Sequence, residues 1–139
     1  MVNKELIKKK LDDIQECYMK LEKILEVDTH DIVHDDIRLP AAERYFQRIV
    51  DSAIDINSHI IAELSLRTAD DYQSTFTIMG ESQILPYDFA MKIAPSVGLR
   101  NAVIHQYEDI SRTKLVNDLK KDIVQYAEYV KLIYDFLKK

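Results

Sequence analysis

The sequence predicts an all-α protein, an up-and-down helical bundle of four to five helices. Three observations carry this. Two glycines (Gly80, Gly98) and three prolines (Pro40, Pro86, Pro95) are the only breakers in 139 residues, which leaves little room for hairpins and favours a few long helices. Apolar residues recur in alternating steps of three and four, the spacing of one helical face. The composition, 47% apolar and 31% charged, suits a soluble helical globule able to bury a core without disulfides or metal. No repeat, low-complexity tract or dividing linker interrupts the pattern, so residues 1–139 read as a single domain.

The elements follow in order. Ile7, Leu11, Ile14, Tyr18, Leu21 and Leu25 stripe a long first helix, which Asn3 is placed to cap. The polar stretch VDTHDIVHDDIRLP then reads as a connection with at most a short turn of helix. Pro40 suits the first turn of a second long helix, striped by Ala42, Phe46, Ile49, Ala53, Ile56, Ile60 and Leu64. A shorter helix is expected over Asp71 to Met79, with Tyr72, Phe76 and Met79 inward and Gly80 ending it. Pro86 opens a fourth, with Phe89, Ile93 and Val97 inward, and Pro95 should kink or restart it. The last helix begins near Ser111 and has the cleanest register: Val116, Leu119, Ile123, Tyr126, Val130, Ile133 and Leu137. These stripes exceed what one short bundle needs, so a homodimer burying part of them is expected.

Composition also narrows the function. The N-terminal MVNKELIKKKLDD is basic but has no apolar stretch after it, unlike a signal peptide. No run approaches the ~20 apolar residues that span a bilayer. A single cysteine, Cys17, fits a reducing cytoplasm, and with no histidine nearby in sequence it reads as a buried structural thiol. A net charge of -5 argues against non-specific coating of nucleic acid, and no DNA partner is expected, although one local basic cleft is still permitted.

The stretch RNAVIHQY, Arg100 to Tyr107, concentrates the chemistry. On a helix Asn101 and His105 are neighbours four apart, Arg100 flanks them, and Ala102, Val103 and Ile104 supply the sides that touch the bundle. A histidine titrating near pKa ~6.5 can take a proton from a ribose 2′-OH or give one to a leaving 5′-oxygen. An arginine fork can hold two phosphate oxygens and stabilise the charge that develops on them. The asparagine amide can orient the imidazole or bind phosphate, and Tyr107 can stack on a base. No metal or cofactor is needed. Periodicity alone favours ordinary surface residues here, and the physical argument stops at a phosphate site.

The order Arg, four residues, His, one residue, Tyr, with Asn after the arginine, resembles the HEPN superfamily of RNases and most of all its HepT toxins. The likeness covers nearly the whole chain. AAERYFQRIVDSAIDINSHIIAE is similar to that family's second long helix, and DDYQSTFTIMGESQILP to its short helix and turn. The resemblance implies metal-independent RNA cleavage in a homodimer, as the toxin of a type VII toxin–antitoxin pair. It assigns catalysis to Arg100 and His105 and a supporting polar role to Asn101. It also implies a partner, the minimal nucleotidyltransferase antitoxin MntA, which would transfer AMP onto Tyr107 and block the site by bulk and charge.

Other candidates are weaker. His30 and His34, with Asp31, Asp35 and Asp36, have helical spacing for a metal but lack a second ligand cluster, so a solvated connection is favoured. No Glu-x-x-His pair supports a di-iron bundle. His59, near Asp55 and Asn57, is expected at the core edge, with a lesser role in shaping the site. Arg44, Arg48, Arg112 and Lys114 are available to attract RNA, though each reads first as a solvated charge. The alternative function is a non-catalytic helical dimer that binds nucleotide, RNA or a nucleotidyltransferase partner.

Overall fold

A computed structural model describes residues 1–105 and 111–139. Among the described residues there are seven helices and no strand. The first, α1 (Lys4–Leu25), is capped by Asn3, whose side chain accepts from the Leu6 N–H at 3.1 Å. It buries Ile7, Leu11, Ile14, Cys17 and Leu21. Cys17 therefore takes the inward position assigned to Tyr18, one step round the helix, and Tyr18 is only half-buried. Burial pushes the Cys17 thiol up, against the opposing pull of Arg48.

The polar connection contains one short helix, α2 (Thr29–Val33), which docks through Ile32 against Leu39 and Val116. The second long helix, α3 (Arg38–Glu63), has Pro40 in its first turn. Just before it, the Asp35 carboxylate accepts from the Ile37 and Arg38 N–H groups at 2.8 and 2.9 Å and from the Arg38 guanidinium at 2.6 Å. Those bonds hold the Asp35 carboxyl below the usual carboxylate range.

The next helix, α4 (Tyr72–Glu81), starts from a reciprocal capping box between Asp71 and Ser74. Two expectations fail here. Tyr72 is 55% exposed rather than inward. Gly80 lies inside the helix, buried, instead of ending it. A Cβ on Gly80 would stand 2.5 Å from the Ala90 Cβ, so this glycine serves the close approach of α5 (Tyr87–Ile93). The left-handed residue that ends α4 is Gln83, φ 60°, with the Ile84 N–H bonded back to the Met79 carbonyl. Ser65, φ 53°, ends α3 in the same way, with Leu66 bonding back to Ile61.

Pro95 restarts the chain, as expected, into α6 (Ser96–His105). Ser111 caps α7 (Arg112–Leu137), accepting from the Lys114 N–H at 3.0 Å, and every position of the expected α7 stripe is buried. The helix count exceeds the four to five expected because Pro95 divides one segment in two and the polar connection holds α2.

The long helices α1, α3 and α7 pack with α4, α5 and the start of α6 around one main core. Tyr126 packs edge-on to Phe46 and Tyr129, and Tyr129 to Phe76, with ring centroids 6.4, 6.0 and 5.8 Å apart. Each buried phenol finds a partner. The Tyr126 hydroxyl is 2.6 Å from Ser96 Oγ, which ties the start of α6 to α7. The Tyr129 hydroxyl donates toward Asn57 Oδ1 at 2.6 Å and lies 3.2 Å from the Ala53 carbonyl. The Asn57 amide in turn donates to Thr75 Oγ1 at 3.2 Å, so one buried polar network joins α3, α4 and α7. Among the described residues no helix is long and apolar enough to cross a membrane.

Candidate active site

The short helix α6 carries three of the four residues singled out in the sequence. Its buried side is Ser96, Val97, Ala102 and Val103. That leaves Arg100 and Asn101 half-buried at its flank and His105 exposed as its last residue. Tyr107 lies outside the described residues, as do Glu108 and Asp109.

Arg100 is held on three sides. Its Nε donates to Asp51 Oδ1 of α3 at 2.7 Å, an ion pair whose side chains are 17% and 36% exposed. One Nη donates to Asn101 Oδ1 at 2.9 Å. The guanidinium also lies over the Tyr72 ring at the start of α4, 5.4 Å from its centroid. Three helices thus converge on one guanidinium. Asn101 orients the arginine in this arrangement. Its four-residue spacing from His105 keeps those two side chains on one face of α6, whereas Arg100 is about 140° round the helix from His105.

Asp51 and Tyr72 were not found as site residues in the sequence. Helical register with Phe76 and Met79 predicts a core position for Tyr72. Its half-exposed ring is instead spent on the guanidinium. Asp51 gives no signal in the sequence: it is one carboxylate on the polar side of α3, in helical register with Arg44, Arg48 and Asp55. A second acidic group lies nearby: Asp51 and Asp122 both act on the Tyr126 hydroxyl, which burial pushes up most strongly. Burial, and then the neighbouring Asp118, raise Asp122 itself.

The remaining candidates sit elsewhere. His59 Nε2 accepts from the Asn3 N–H at 2.9 Å, so it fastens the start of α1 to α3. Lys114 pairs with Asp118 at 2.7 Å. Arg112 acts on Glu43, whose carboxyl burial raises and Arg112 pulls back. Arg44 and Arg48 are exposed on α3. The His30 and His34 rings are 4.5 Å apart, and Asp35 is committed to Arg38. Among the described residues no group of three or more His, Cys, Asp or Glu side chains is placed to hold a metal ion.

The fold is that of the HEPN toxins. A tri-AMPylated HEPN toxin from Shewanella oneidensis, solved in complex with an MNT antitoxin, superposes with a TM-score of 0.84 at 19% identity, over 94% of this chain and 97% of that one. The chain belongs to the HepT-like ribonuclease family, whose model, "Ribonuclease HepT-like", matches residues 14–133. It is 38% identical over 95 residues to a tRNA nuclease HepT of Aphanizomenon flos-aquae, a match spanning 68% of this chain and 65% of that relative. It is also 19% identical to an mRNA nuclease HepT of Shewanella oneidensis, over 93% of this chain and 96% of the relative.

Proposed function

We propose that this protein is a metal-independent endoribonuclease, the toxin of a type VII toxin–antitoxin pair. Family membership supports the class of activity, and the observation that carries the site is the restrained Arg100, held by Asp51, Asn101 and Tyr72 on the helix that also carries His105. With its Nε on Asp51 and one Nη on Asn101, the guanidinium still has N–H groups to offer phosphate oxygens.

The reaction is a transesterification. The ribose 2′-oxygen loses its proton and bonds to the adjacent phosphorus, the P–O5′ bond breaks, and the 5′-oxygen takes up a proton. The products are a 2′,3′-cyclic phosphate and a 5′-hydroxyl. His105 serves as general base or acid, Arg100 stabilises the pentavalent phosphorane, and Asn101 orients Arg100. A homodimer places two such motifs at one cleft in the cytoplasm. Tyr107 is the residue on which a nucleotidyltransferase antitoxin deposits AMP, an anionic group that competes with RNA phosphate. The AMPylated relative solved with its antitoxin supports that reading.

Induced expression of wild type beside His105→Ala tests this, with growth and cellular RNA followed together. Growth arrest and RNA fragments are expected for the wild type alone, with cleavage by the variant lower by about 10²- to 10⁴-fold. Equal fragmentation in both cultures would remove His105 from the chemistry. Intact RNA in both would favour a dimer that binds without cutting.

A further inference from the structure

We propose that Asp51, with Tyr72 beneath the guanidinium, is a positioning residue that sets Arg100 for the cleavage step; this rests on the ribonuclease reading above. An arginine side chain has many rotamers, and one projecting from the flank of a ten-residue helix would sample several of them. Here it is fixed from two other helices. Asp51 is a rigid post, midway along the 26-residue α3 and flanked by the buried Val50 and Ser52. Its carboxylate takes the Nε–H at 2.7 Å, the flank of the fork. Tyr72 is the first helical residue after the Asp71 cap, inside the capping box, so its backbone is locked where its ring lies under the guanidinium.

The sign of the charge makes the proposal specific. A carboxylate beside the guanidinium repels an incoming phosphate and lowers the attraction between Arg100 and bound RNA. Asp51 is therefore a handicap for binding, and its benefit has to appear in the rate. Misplacing a group that acts in the transition state by about 1 Å costs on the order of 10²-fold. A role in stability alone would affect neither quantity once the protein is folded.

Single-turnover cleavage of end-labelled pooled tRNA, with the saturating rate and the half-saturating protein concentration read separately, decides the matter. Wild type, Asp51→Asn, Asp51→Glu and His105→Ala are compared at a temperature where each is folded by circular dichroism. For Asp51→Asn the saturating rate should fall about 10- to 100-fold while the half-saturating concentration stays level or drops. Asp51→Glu, which keeps the charge on a longer arm, should recover part of the rate. An unchanged rate in Asp51→Asn, a half-saturating concentration that rises instead, or Asp51→Glu no faster than Asp51→Asn would each overturn the positioning role. A wild type as silent as His105→Ala would bring down the ribonuclease reading itself, an outcome distinct from an active wild type matched by Asp51→Asn.

Discussion

Helices α7 and α6 show two ways in which this chain settles a helix. Over 26 residues, α7 buries Val116, Leu119, Ile123, Tyr126, Val130, Ile133 and Leu137 in unbroken register, and the core contacts of that stripe determine its rotation. The ten residues of α6 bury little apolar surface beyond Val97, Ala102 and Val103. Its rotation comes from polar contacts at named points, Ser96 to Tyr126 at its start and Arg100 to Asp51 at its middle. Periodic burial builds the scaffold, and individual hydrogen bonds aim the chemistry.

Three experiments probe that contrast, in falling order of effect. Leu119 is fully buried, so Leu119→Ala should destabilise the fold by ~2–5 kcal/mol in urea denaturation. Its cleavage rate well below the midpoint should match wild type, and a slower rate there would show that α7 does more than support. Ser96→Ala removes the partner of a buried phenol and should cost ~1–3 kcal/mol. Combining it with Tyr126→Phe, which deletes the stranded hydroxyl, should return much of that loss in a double-mutant cycle. Additive losses would mean that the bond does not anchor α6. Gly98 is the small case. It sits inside α6 with nothing within 4 Å of an added Cβ. Gly98→Ala should therefore stabilise by ~0.5–1 kcal/mol, read as a higher thermal midpoint. A destabilised variant would show that this exposed side of α6 is occupied in solution.

The same contrast explains what the sequence made legible. The three long helices, the Asn3 cap of α1, the helix starts near Asp71 and Ser111, and the break at Pro95 all follow from local rules: spacing, capping chemistry and the missing proline N–H. Where two adjacent residues both suit the core, spacing alone could not choose, and Cys17 displaced Tyr18. Glycine ends many helices, so Gly80 reads as a stop in the sequence, but its reason is the Ala90 methyl of another helix. Gln83 took the left-handed position instead. Arg100, Asn101 and His105 stand out as candidates because they are close in sequence. Asp51 was not, because it is 49 residues from the arginine it holds and no periodicity records a partner across helices. Tyr72 was assigned to the core for the same reason: aromatic residues in helical register read as apolar whether they meet leucine or a guanidinium.

The network of Asn57, Thr75 and Tyr129 has a consequence for how such a sequence can drift. Asn57 stands at its centre: changing Tyr129 or Thr75 strands part of the buried Asn57 amide at a cost of ~1–3 kcal/mol, whereas the Tyr129 hydroxyl keeps the Ala53 carbonyl when Asn57 is changed. Exchanging all three for apolar residues of similar shape strands nothing and can be nearly neutral. The three positions, far apart along the chain, are therefore coupled: what a substitution at one of them costs depends on which residues stand at the other two.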